Sequence, residues 1–136
     1  MSDTTVRRRV DVGRVILVVE GILLVLLGVA GLLGANDLVL GFALNRPHAI
    51  ALVVTGGLAL LVAVRRRLVL VFAVLQFLAY GAAFLYGAST QGRPADDMWR
   101  FNQPDSWLHL GVAIVSLVIA YTVAAARGAH RRVKTK

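Results

Sequence analysis

Asp105 and His109 stand four residues apart, a spacing that puts a carboxyl and an imidazole one turn apart on the same face of a helix. A carboxylate beside a histidine fixes the ring's tautomer or favours its charged form, which suits metal ligation, proton transfer or recognition of a quinol-type headgroup. His48 is a third candidate, because it follows an Asn-x-Pro run just as Asp105 does. Three such side chains without a fixed spacing carry far less metal specificity than a pair set within one helical motif. The plainer reading, and the preferred one, is a polar cap in which Asn45, His48, Asn102, Asp105 and His109 tie loops to helix ends. No nucleophile with a positioned base can be read, so no catalytic residue, metal or cofactor is assigned.

Glu20 poses a different problem. It lies six residues past Arg14, roughly 9 Å deeper at about 1.5 Å per residue, inside an apolar run. An acid at that depth in hydrocarbon is costly and demands a function or a partner. Arg14, Arg65 with its neighbours Arg66 and Arg67, and the amide of Gln76 are the donors within reach of a long side chain. A small proton-coupled transporter would also carry one acid in its first helix. Such a transporter would be expected to surround it with aromatic rings, whereas Val18, Val19, Gly21 and Ile22 surround Glu20.

The elements that position these residues follow from composition. A chain of 136 residues that is 58% hydrophobic and 16% charged has more apolar surface than one water-soluble core of that size can hide. A bilayer core of roughly 30 Å takes about 20 apolar residues of helix, and four windows qualify, at about 15–34, 48–64, 68–87 and 107–126. The expected fold is an all-α integral membrane four-helix bundle over residues 15–126, between basic tails at 1–14 and 127–136 whose ends are expected to be mobile. The Arg65–Arg67 turn is so short that the second and third helices are expected to be antiparallel neighbours. The first apolar run exceeds the 7–15 residues of a signal peptide core and is read as a retained helix. With no cysteine, disulfides and thiolate metal sites are excluded.

Twelve of the fifteen Lys and Arg residues fall in the two tails and the middle loop, so the positive-inside rule places both termini in the cytoplasm. This placement explains the net charge of +8 better than a nucleic-acid partner does, and it sets the basic tails against anionic lipid headgroups. Helices in lipid associate through small residues and a few polar groups. The first helix offers Gly21, Gly28, Gly31 and Ala35, and the second Ala51, Thr55, Ala59 and Ala63. Ala79 and Ala83 on the third, and Ala113, Ser116, Ala120 and Ala124 on the fourth, complete four faces suited to close packing.

Asn45-Arg46-Pro47-His48 and Asn102-Gln103-Pro104-Asp105 repeat one spacing 57 residues apart, which suggests two parallel-repeat hairpins. The stretches Leu40 to His48 and Asn102 to Leu110 resemble a small four-helix membrane family, chiefly actinobacterial, catalogued as domain of unknown function 4383. That family looks like a repeat of Asn-x-x-(His or Asp)-Asn-x-x-His-Leu. This chain departs from it at Ala49, Ser106 and Leu52. The resemblance implies a fold and a topology but no chemistry. The expected function is therefore a non-enzymatic structural or accessory membrane subunit, associating with other membrane subunits or with itself. A proton-coupled transporter using Glu20 is the alternative, and an enzyme or metal site using His48, Asp105 and His109 ranks last.

Overall fold

A computed structural model describes residues 3–34, 38–90 and 98–134, with side chains described between 12 and 128. The order is α1 (Asp3–Leu33), β1 (Leu38–Val39), β2 (Phe42–Ala43), α2 (Arg46–Ala63), α3 (Val69–Thr90) and α4 (Gln103–Lys134). All four helices are long and apolar enough to cross a membrane, over Val12–Leu33, Arg46–Ala63, Val69–Thr90 and Gln103–Gly128. Helix continues beyond the apolar windows into both basic segments, back to Asp3 and on to Lys134. Arginine and lysine are good helix formers, and neither segment contains a proline to stop the run.

One element departs from the all-α expectation. Leu38 pairs with Ala43 and Val39 with Phe42 in a two-stranded antiparallel hairpin. Its two turn residues, Leu40 at φ 52° and Gly41 at φ 90°, both take positive φ, as a type I′ turn requires. Glycine does this freely, whereas leucine there costs about 1 kcal/mol. The hairpin sets β2 against the start of α4.

α1 packs along α2, α3 packs along α4, and α1 also meets α4. α2 and α3 touch little, contrary to the close neighbours expected from their short connection. A tight turn joins two helix ends without forcing their faces together. The face of α2 that meets another backbone is turned to α1: a Cβ on Gly56 would lie 2.6 Å from the Gly21 carbonyl oxygen, and one on Gly28 2.7 Å from that of Ala49. Gly56 and Ala49 hold the close contact with α1. Ala59 and Ala63 join Leu17, Val69, Ala73, Ile119 and Val123 in an apolar layer near the α2–α3 turn. A second apolar layer, near the hairpin, holds Leu24, Leu44, Leu52, Tyr80, Val112 and Ala113.

Arginines close the turn end of the bundle. Arg14 Nε donates to the Ala63 carbonyl at 2.8 Å, and Arg127 donates to the carbonyls of Arg66 and Arg67 at 3.2 and 3.1 Å. These are carbonyls that a helix end or turn leaves without a helical partner.

Candidate functional site

The hairpin end is built from two helix starts with nearly the same sequence. Asn102 caps α4: its Oδ1 accepts from the Asp105 amide at 3.0 Å, and Asp105 Oδ2 accepts from the Asn102 amide at 2.9 Å. This is a reciprocal capping box, which satisfies two amide donors that a helix start leaves open. Asn45 caps α2, its Oδ1 accepting from the His48 amide at 3.4 Å. A neutral imidazole has one acceptor nitrogen where a carboxylate has two acceptor oxygens. His48 instead points Nδ1 at the Ala43 carbonyl, 2.9 Å away.

Each cap also reaches across to the other connection. Asn45 Nδ2 donates to the Met98 carbonyl at 2.6 Å, and Asn102 Nδ2 to the Gly41 carbonyl at 2.7 Å. The Ala43 amide donates to Asp105 Oδ2 at 3.2 Å, so both backbone groups of Ala43 are held by side chains of this cluster. Asp105 is fully buried by this arrangement. The structure thus brings Asn45, His48, Asn102, Asp105 and His109 into one region, although His109 makes no hydrogen bond to Asp105.

A carbonyl only accepts, so Nδ1 of His48 carries the proton in that contact and Nε2 of the neutral ring carries a lone pair. That Nε2 is buried and has no partner among the described residues, and the same holds for Nδ1 of His109 and Oδ1 of Asp105. The two imidazoles lie with ring centroids 5.4 Å apart, and Phe101 packs edgewise on both, at 4.9 and 4.5 Å. Among the described residues, no three His, Cys, Asp or Glu side chains come together in a way that could hold a metal ion.

Where α2 and α3 part, a cavity of about 520 Å³ opens against these rings. Ala51 and Thr55 form one wall and Ala79 and Ala83 the other, with His48, Tyr80 and His109 on the inner side. Tyr86, Trp99 and Phe101 line its hairpin end. Arg100, between the last two rings, takes a left-handed backbone with φ 46°. Sequence reading missed this group. Nothing local in the chain marks Tyr86 as the neighbour of Trp99 and Phe101.

The second region lies between the two apolar layers. Glu20, Gln76 and Ser116 are buried there, and Thr55 stands partly buried at the same level. Ser116 and Thr55 each donate to a carbonyl one turn back, Val112 at 2.7 Å and Ala51 at 2.8 Å. Among the described residues, neither Glu20 oxygen and neither polar atom of the Gln76 amide has a hydrogen-bond partner. None of the donors expected for Glu20 hydrogen-bonds it: Arg14 serves the Ala63 carbonyl, Arg65 is exposed at the turn, and Gln76 is itself unpaired. Glu20 lies instead in a groove of about 560 Å³ between α1 and α4, walled by Val19, Leu23, Gly111 and Val115. A Cβ placed on Gly111 would meet nothing within 4 Å, so this wall is open.

No curated protein and no solved structure matches the chain. A family model does match, over residues 14–122, which take in the four helical spans almost entirely, both caps, the cavity and Glu20; the chain belongs to the family described as Domain of unknown function (DUF4383).

Proposed function

We propose that this is a non-enzymatic, multi-pass membrane protein with both termini in the cytoplasm, and that it serves as an accessory subunit. It receives a partner's transmembrane helix in the groove between α1 and α4. The observation that supports this is Glu20, whose two buried oxygens have no hydrogen-bond partner among the described residues and whose side chain helps to line the groove between α1 and α4. An unsatisfied polar group in hydrocarbon costs several kcal/mol, so the expected occupant is a helix carrying a hydrogen-bond donor at that depth. Lipid tails cannot supply one. The orientation rests on the positive-inside pattern, which also brings Arg66, Arg67 and Arg127 against anionic headgroups.

A transport cycle is the weaker reading because the hydroxyls of Thr55 and Ser116, at the level of Glu20, are engaged with their own backbone. They leave little with which to recognise a polar substrate.

The test is cross-linking in native membranes from Val19→Cys and Gly111→Cys, on the two walls of the groove. Adducts to a second transmembrane chain should form, fall at least fivefold with Glu20→Leu and persist with Glu20→Gln. Differently tagged copies distinguish self-association from a foreign subunit. A monomer in native nanodiscs with no adduct from either cysteine refutes the assembly reading, and a proton-driven flux lost in Glu20→Gln replaces it with transport. Impermeant labelling of Ser89→Cys but not Thr4→Cys or Thr135→Cys in intact cells checks the orientation.

A further inference from the structure

We infer that the cavity between α2 and α3 binds an amphipathic phenol: an aromatic ring bearing a hydroxyl, seated against His48 and His109, with an apolar tail directed along the alanine walls to the bilayer. This site is separate from the Glu20 groove and does not depend on the assembly reading.

The gap itself is the first observation. Ala51 and Thr55 face Ala79 and Ala83 across it, small residues that in lipid normally let helices close together, yet here they border an open space. A volume of about 520 Å³ is that of a small-molecule site, whereas a water occupies about 30 Å³. Water filling so large a space would face walls that are mostly alanine, leucine and aromatic ring.

The second observation is the pair of histidines. Each is only 2% exposed, each lines the cavity, and each has one ring nitrogen without a partner. His48 gives the pair its sense. With Nδ1–H committed to Ala43, Nε2 of the neutral ring is an acceptor, so a ligand that pairs with it brings a donor. A carbonyl, ether or ester group cannot do so. Among the described residues that line the cavity there is no Asp, Glu, Lys or Arg, which disfavours a phosphate or ammonium headgroup. Tyr80, Tyr86, Trp99 and Phe101 supply edges and faces for a planar ring. Donor, neutrality, flatness and an apolar tail together define a phenolic or quinol-type lipid.

The experiment uses the full chain in nanodiscs with 4-nonylphenol and its methyl ether as probes, which differ by little more than the donor. Trp99 fluorescence in a Trp107→Phe background reports occupancy. Saturable quenching by the phenol, at least tenfold tighter than by the ether, is expected. His48→Phe and Ala83→Leu should each weaken phenol binding at least tenfold, the first by removing the acceptor and the second by filling the wall. Ala83→Leu touches none of the capping hydrogen bonds, so it remains informative if His48→Phe fails to fold. Equal affinity for phenol and ether, quenching that never saturates, or binding untouched by Ala83→Leu would each overturn the inference.

Discussion

The starts of α2 and α4 share Asn, a two-residue step with proline at its end, and then a polar side chain, yet they are put to different uses. Asp105 spends its Oδ2 on two backbone amides and locks α4 to the hairpin. His48 at the matching position leaves the Asn45 amide to other arrangements and turns its ring away from the cap, one nitrogen on Ala43 and the other buried without a partner among the described residues. One substitution of residue type separates a cap that is closed from a cap that has a group left over. Chemistry in this bundle is therefore sought where a local rule is half-filled. Glu20 shows the same principle at mid-depth, as a second carboxyl with none of the donors that Asp105 has.

The strongest way to break the comparison is Asp105→Ala. Hydrogen bonds to a charged acceptor contribute about 1.5–3 kcal/mol each, and two are lost with one substitution, so a cost of about 3 kcal/mol is expected in denaturant unfolding in micelles. A change under about 1 kcal/mol would show that the box is decorative.

Next come the two asparagines. Asn102→Ala should cost about 2 kcal/mol and Asn45→Ala about 1 kcal/mol, because the Asn102 cap is 3.0 Å long and reciprocated while that of Asn45 is 3.4 Å and one-sided. The reverse order would mean that the crossing bonds to Met98 and Gly41, and not the caps, set the difference. Glu20→Leu should act with the opposite sign to Asp105→Ala, stabilising the isolated chain by about 1 kcal/mol as an unpaired polar group is removed. The same unfolding measurement decides it, and destabilisation would reveal an internal partner.

The smallest effect is expected of His48→Asp, which would rebuild at α2 the box that α4 has. Loss of the Ala43 contact and gain of the reciprocal bond should nearly cancel, leaving stability within about 1 kcal/mol. Phenol binding should nevertheless fall in the nanodisc assay, since the ring and its Nε2 are gone.

The membrane spans were legible in the sequence because length and apolar content decide them and no contact information is needed. Orientation rests on charge counting along the chain. The Asn-x-Pro starts could be read as caps because their geometry is confined to four residues. The gap between α2 and α3 could not. In lipid an apolar face gains nothing by turning inward, so Ala51 and Ala79 look the same in sequence whether they meet another helix or an opening. The hairpin escaped notice because six residues with a leucine at a left-handed position carry no Asn-Gly signal. Glu20's surroundings were misjudged for a further reason: Arg14 is close along the chain, but its guanidinium answers the free Ala63 carbonyl at the end of α2. Spacing gives proximity; it does not say which of two acceptors a long side chain will choose.

The arginine ties at the turn end also have a mechanical meaning. Arg14 fastens α1 to the last turn of α2, and Arg127 fastens α4 to the turn itself, so the ends of α2 and α3 are clamped there while their opposite halves stand apart. The pair is a set of tweezers with its pivot at residues 64–68. An 18-residue arm of about 27 Å that tilts by about 10° moves its tip by about 5 Å, the width of a benzene ring. Against such a tilt α2 has its glycine contact with α1, and α3 packs along α4, where a Cβ on Gly87 would lie 2.6 Å from the Ser106 hydroxyl oxygen. Each arm is thus braced on its outer neighbour and not on the other arm.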